Sequence, residues 1–363
     1  MPPAHQSENE GFSSQAAERL PCGSVSPLML DTTLVDLWAM ERRPSQKSID
    51  THRSVARWFY ERVGEKPVDK ITRHDILRFR AGLQKEGQTA ANIEIKLKRL
   101  RTLLNYAAQN NHAFSNFALG ISFDGARATT STRKPFDVRS LKRIFAGPVH
   151  AQGQRPVQGR GEASYWLPLL ALFTGAQLAE LGQLRPADIL LLAYPDVNGR
   201  TRAGWFIKLS NLTDDNDGES VGTKIKHTDR ERLVPVHSEL ERLGFISFVC
   251  SIAANGHSRL FHLLKPDPYG YLTHKWNQWF SQYIRNTCGI TDTRTSFHSI
   301  RLIFVECVLR SNMAEDIKLH LIGKNKKFLH YDYRCDHNLY WLVQSIELLE
   351  MASQLVITSA PSQ

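Results

Sequence analysis

The chain has 363 residues, with 46 Lys and Arg against 36 Asp and Glu, and its formal charge of +10 points to a polyanionic partner such as nucleic acid. Five scattered cysteines (Cys22, Cys250, Cys288, Cys307, Cys335) and 14 dispersed histidines argue against a disulfide framework, a zinc site or a zinc hydrolase, and for a reducing compartment. No apolar run is long enough to span a bilayer and Met1 to Gly23 lacks the apolar core of a signal peptide, so the sequence predicts a soluble, cytoplasmic protein with no membrane partner.

Residues 1–28 are rich in Ser, Gln, Glu, Pro and Gly and bury too little apolar surface to offset the entropy of ordering, so they read as a tail. Helical periodicity starts after Asp31, a candidate N-cap, with Leu34, Leu37 and Trp38, and resumes past Pro44 through Val55, Trp58 and Phe59. A short helix follows over Asp69 to Gly82, and a longer one from Ala90 to about Asn110 behind Gly87-Gln88-Thr89. In the last of these Ile93, Leu97, Leu100 and Leu104 form an apolar stripe, while Lys96, Lys98, Arg99 and Arg101 populate the other faces. Residues 29–122 thus read as a helical domain, and the polar stretch 123–135 as a linker.

Residues 136–356 read as a second, mainly helical domain, with 357–363 as a tail. Phe136 and Asp137 open a helix through Phe145, and residues 152–161 are a loop. Trp166 to Gly175 is an apolar helix, and Thr174-Gly175 turns the chain into another from Ala176 to Leu184, which Arg185-Pro186 ends. Residues 205–209 and 232–236 read as strands, with a third expected over Val221 to Lys226, together a small antiparallel sheet. Helices are expected from Ser238, Leu272, Ser299 and Asp316, and Leu339 to Met351 forms a terminal amphipathic helix.

The stretch Phe297-His298-Ser299-Ile300-Arg301 places a His and an Arg just under one helical turn apart, on one face, where both can act on one target. By itself this spacing also fits a buried His and Arg that satisfy backbone carbonyls. Four segments taken in order, Thr174-Gly175-Ala176-Gln177-Leu178-Ala179-Glu180-Leu181, Lys226 with Arg232-Leu233-Val234-Pro235, His298 to Arg301, and Leu321-Ile322-Gly323-Lys324 followed by Tyr333, resemble the tyrosine recombinase (phage integrase) family. The resemblance covers roughly Lys134 to Met351, and more loosely the N-terminal helical module.

It implies a mainly α-helical fold of two domains: a helical core-binding (SAM-like) domain, then a catalytic-type domain with a small antiparallel β-sheet. It also implies double-stranded DNA as partner, tetramers on DNA that exchange a C-terminal helix, and no metal or small-molecule cofactor. Family members attack a phosphodiester with a tyrosine, leaving a 3′-phosphotyrosine and a free 5′-hydroxyl. Two arginines clamp the phosphoryl oxygens, a sheet lysine protonates the leaving group and two further side chains assist.

Carried over, Tyr333 is the nucleophile, with Tyr331 its rival and Tyr340 a distant third. Arg301 is the second clamp arginine, His298 the first assisting histidine, and Lys226 the lysine, with Lys224 as fallback. Lys96, Lys98, Arg99 and Arg101 are candidate DNA contacts of the first domain.

Three positions depart from the pattern. Gln177 stands where the first clamp arginine belongs, Leu302 where a His often follows the second, and Lys324 where a His or Trp follows the glycine. A neutral amide replaces a charged fork at Gln177. Two readings follow: a slow recombinase in which Lys324 supplies part of the missing charge, or a DNA-binding or assembly protein without the chemistry. A type IB topoisomerase uses similar residues, but the text around Gly175 and Pro235 resembles bacterial integrases; a plain helical scaffold predicts no DNA affinity.

Overall fold

The computed structural model describes residues 27–122, 133–210, 231–324 and 338–349. The chain divides into two compact units, Met1–Thr130 and Ser131–Gln363.

In the first unit a wide helical turn, Leu30–Leu34, runs into α1 (Val35–Arg42), followed by α2 (Gln46–Val63), α3 (Arg73–Lys85) and α4 (Ala90–Gln109). Asp31 lies inside the opening turn rather than capping it; the residue ahead of that turn is Met29. Side-chain caps start the other helices: Ser45 accepts from Ser48 N, Thr89 from Asn92 N, and Thr72 and Asp75 form a reciprocal box at α3. The stripe on α4 is buried as its spacing requires, with Ile93, Leu97 and Leu100 fully enclosed, each worth about 1.5–3 kcal/mol. It meets Val55 and Phe59 of α2 and Ile76 and Phe79 of α3, and the Phe59 and Phe79 rings pack edge to face at 5.6 Å.

The second unit is built around α6 (Glu162–Thr174), which follows α5 (Val138–Phe145); every residue of α6 from Ala163 to Thr174 is buried. A helix apolar on all sides belongs in a core, and this one forms its centre. Next come α7 (Leu178–Gly182) and three antiparallel strands in the order β1 (Ile189–Pro195), β2 (Thr201–Leu209), β3 (Arg232–Pro235). Ile189 pairs with Ile207, and Leu209 with Arg232. The β1–β2 turn is closed by Asp196, whose carboxylate accepts from Asn198 N, Arg200 N and Arg202 Nε.

Strand β1 departs from the sequence reading, which placed no strand there. The strand expected over Val221 to Lys226 lies outside the described residues.

Five helices follow: α8 (Ser238–Arg242), α9 (Phe245–Ala254), α10 (His274–Gln282), α11 (His298–Arg310) and α12 (Glu315–Leu321). Then α13 (Asn338–Glu347) buries Leu339, Leu342 and Ile346 against the sheet side of the core. Glu347 on α13 caps α8 by accepting from Ser238 N at 2.7 Å and Ser238 Oγ at 2.6 Å. The architecture is mainly helical with one small antiparallel sheet.

Candidate active site

The turn after α6 is fixed by its own side chains. Thr174 Oγ1 donates to Leu170 O and accepts from Ala176 N. Gly175 follows in the left-handed region (φ 60°), and a Cβ there would run into the Phe304 ring of α11, so only glycine fits on both counts. Gln177 caps α7 with an exposed side chain, and its backbone N–H donates to Glu180 Oε2 at 2.6 Å.

Glu180 is a hub. It is 2% exposed and receives both ends of Arg232, itself 4% exposed: Nη1 donates to Oε1 at 2.9 Å and Nη2 to Oε2 at 3.1 Å. Burial pushes its pKa up, but the charge and hydrogen bonds of Arg232, the Gln177 N–H and the charge of Arg301 outweigh that, and the carboxyl sits below its ordinary range.

Arg301 lies one turn into α11, three residues after half-buried His298. Its Nη1 donates to Gly175 O and its Nη2 to Ile322 O, the latter at 3.0 Å. One side chain therefore ties together the turn that leads to Gln177 and the turn that leads to Lys324. Burial lowers the Arg301 pKa, the nearby Arg232 charge lowers it further, and Glu180 opposes both.

The second of those turns ends α12. Gly323 adopts φ 76°, its N–H donates to His320 O, and Lys324 N donates to Leu319 O, which leaves the Lys324 side chain exposed. Behind it, the buried His320 ring nitrogen Nε2 lies 2.8 Å from Leu233 O of β3. The loop before α11 is held by Arg285, which donates to Ile290 O, Thr295 Oγ1 and Thr295 O, and by Lys134 Nζ, 2.6 Å from Asp292.

The structure thus brings the turns that lead to Gln177 and Lys324 together on Arg301, with His298 on the same helix as Arg301. Tyr333, Tyr331, Lys226 and Lys224 lie outside the described residues. Tyr340 is described: it is half-buried on α13, edge-on to Trp341. Glu180 and Arg232 were missed as site residues. A signal for the first was present, an acid three residues into a helix that begins at Gln177, where a carboxylate reaches back to the cap N–H.

The basic residues of α4 do not form one solvent-facing set. Lys96 is 8% exposed, donates from Nζ to Gln88 Oε1 and lies 5.0 Å from the centre of the Trp58 ring. Arg101 donates to Ala118 O at 3.3 Å and Ile121 O at 2.8 Å. Arg99 is half-buried, and Lys98 is exposed. Arg73 and Arg80 of α3 reach the same exit segment, donating to Leu119 O and Ser122 O. Among the described residues no group of three or more His, Cys, Asp or Glu side chains is placed to hold a metal ion, and no helix is long and apolar enough to cross a membrane.

No protein-family model and no curated protein matches the sequence. Solved structures do match. A lambda integrase dimer bound to a COC′ core site is 16% identical with a TM-score of 0.54, over 84% of this chain and 98% of that one. A lambda integrase tetramer bound to a Holliday junction is 15% identical with a TM-score of 0.56, over 88% and 85%. The Tn1549 transposon integrase in complex with a circular intermediate DNA is 16% identical with a TM-score of 0.55, over 82% and 92%. At these identities the likeness is one of fold: the chain has the fold of the lambda and Tn1549 integrases.

Proposed function

We propose that the protein is a duplex-DNA-binding recombinase of the tyrosine recombinase type, a site-specific integrase slowed by the loss of one clamp arginine. The observation that carries this reading is the meeting of the Gln177 turn, Arg301 and the Lys324 turn at one positively charged network, in a fold shared with integrases solved on DNA. In this reading the Tyr333 hydroxyl oxygen attacks a backbone phosphorus as its proton passes to water, the P–O5′ bond breaks, and Lys226 gives its own proton to the departing 5′ oxygen. The product is a 3′-phosphotyrosine, reversed when a 5′-hydroxyl of a partner strand attacks. His298, Arg301 and Lys324 offset the charge that grows on the phosphoryl oxygens, and Gln177 offers an amide N–H in place of a guanidinium.

The first unit is the core-binding domain, with Lys98 and Arg99 as its leading phosphate contacts on α4. The chain self-associates on DNA, as the lambda integrase tetramer does on a Holliday junction, and works in the cytoplasm on the nucleoid. A second reading, DNA binding without turnover, is favoured by one observation: Arg301 spends donors on the carbonyls of Gly175 and Ile322.

Incubating the full chain with a library of nicked duplexes of random sequence and selecting SDS-stable protein–DNA adducts separates the two. Adducts that vanish in Tyr333→Phe support the recombinase. Salt-sensitive duplex binding with no adduct supports the binding protein, and no binding at all overturns both.

A further inference from the structure

Arg232 stands outside the chemistry just described, yet its surroundings are unusual for a strand residue. It opens β3, is 4% exposed, and fills both oxygens of Glu180, which lies 52 positions earlier. Its Nε has no hydrogen-bond partner among the described residues. The Gly323 turn rests against the guanidinium: a Cβ at Gly323 would lie 3.2 Å from Nη1 and 3.4 Å from Cζ. Glu180 also takes the Gln177 N–H, while Arg301, whose pKa is moved by both charges, bonds only to carbonyls among the described residues. Among the described residues, buried Arg232, half-buried Arg301 and one carboxylate therefore meet beneath the two turns, a surplus of one positive charge.

Resting on the DNA-binding reading above, we propose that Arg232 is a positioning residue for a DNA phosphate: by occupying Glu180 on both oxygens it keeps that carboxylate from capturing Arg301. The physical ground is a competition for one anion. A buried carboxylate must be paired; among the described residues Arg232 is bonded to it, and Arg301, anchored to Gly175 O two residues before the Gln177 N–H that Glu180 accepts, is the other guanidinium of this network. With Arg232 in place, Arg301 keeps a full charge bonded to neutral oxygens and available to a phosphodiester. Without it, Glu180 draws Arg301 and the surplus disappears, at a site where Gln177 supplies no charge of its own. The Gly323 contact adds position to charge, since the turn carrying Lys324 sits on the guanidinium that holds the Gln177 turn.

The test uses the full chain, a linear duplex of random sequence and the slope of log affinity against log salt. Arg232→Lys keeps the charge but cannot fill both oxygens, and it should lower the slope by about 0.9, the loss of one phosphate contact, while the protein still melts cooperatively. Adding Glu180→Gln to Arg232→Lys removes the competing carboxylate and should restore the slope. A purely structural Arg232 would not respond in that way, because a second change at the same pair would leave or deepen the defect.

Where Arg232→Lys does not fold, the paired change Arg232→Met with Glu180→Gln serves instead. It removes both charges together and should bind with the slope of the parent chain. An unchanged slope in folded Arg232→Lys, or a reduced slope in either folded double variant, overturns the proposal. If the parent chain itself shows no salt-dependent binding, it is the DNA-binding reading that falls, which the first titration reveals before any variant is made.

Discussion

Basic side chains at the end of the first unit and at the centre of the second make the same bond with opposite consequences. Arg73, Arg80 and Arg101 all donate to carbonyls of residues 118–122, where, among the described residues, Glu94, 3.6 Å from Arg101, is the carboxylate paired with them. Arg301 also donates to carbonyls, but a buried Arg232–Glu180 pair lies beside it. A carbonyl orients a guanidinium and leaves its charge in place, whereas a carboxylate orients it and cancels the charge. What decides whether an arginine can serve DNA is therefore the partner of its neighbour as much as its own. In the exit segment the charge is exposed at Arg73 and half-buried at Arg80 and Arg101, open to screening by salt; the Arg232–Glu180 pair beside Arg301 is buried and is screened much less.

The sharpest way to break this comparison is to leave a buried charge without its partner. Glu180→Ala strands Arg232 in the core and should cost the second unit about 3–5 kcal/mol, read by urea unfolding. Arg101→Met in the first unit should cost only about 1 kcal/mol. Equal losses would mean that enclosure makes no difference between the two regions.

Next in size is the charge at position 177. Gln177→Arg, with Glu180 already filled by Arg232, should point its new guanidinium outward and raise adduct formation on a selected nicked duplex by about a hundred- to a thousand-fold. Tyr333→Phe in that background should abolish the adduct. If the rate does not move, Lys324 already supplies the charge, and Lys324→Ala should expose it.

Acid should separate the units. His150 and His320 are buried in the second unit, and burial holds each near a pKa of about 4, below the usual 6.5. A histidine depressed in the folded state binds protons mainly when unfolded, so stability falls as pH drops from about 6.5 towards 4. The loss at pH 5 should be on the order of 2 kcal/mol for each histidine. Glu180 adds to this only in stronger acid, because its depressed pKa keeps its contribution until the pH falls through the carboxylate range. Urea unfolding followed at pH 7 and pH 5 should show the second unit weakening first. His320→Gln, which keeps a donor for Leu233 O, should remove part of the acid effect.

The smallest effect sharpens the reading of α4. Lys98→Ala should lower the salt slope of duplex binding by about 0.9 with no change in melting, while Lys96→Met should change the slope little and melting more.

That last contrast shows what the sequence could and could not convey. The α4 stripe was legible, and so was the position of its basic neighbours. Lys96 lies three residues after Ile93 and four before Leu100, and Arg101 lies four after Leu97 and three before Leu104. That spacing places both at the edge of the buried face, where long side chains fold back onto the protein. Lys98 has no such neighbours in the stripe.

The Thr174-Gly175 turn was legible because its chemistry is local. Strand β1 was not, because Ile189-Leu190-Leu191-Leu192 does not alternate and Leu191 is 57% exposed, so periodicity carried no signal. The Glu180–Arg232 pair was hidden for a different reason: its partners come from separate elements, and nothing within one helix or strand announces a contact that only the fold creates.

The bridge made by Arg301 bears on how such a site decays over generations. Two turns of the backbone depend on that one side chain, so replacing it disturbs the fold whether or not DNA is ever cut. Gln177 carries a lighter duty: its bond to the Glu180 carboxylate is made by the backbone N–H that every residue except proline owns, and its exposed side chain serves only the cap of α7. On the proposed recombinase reading, a lineage released from strand cleavage would therefore lose a clamp side chain at 177 early and Arg301 late. Arg301 would then be kept for the needs of the scaffold alone, and the side chain at position 177 would report on the proposed chemistry.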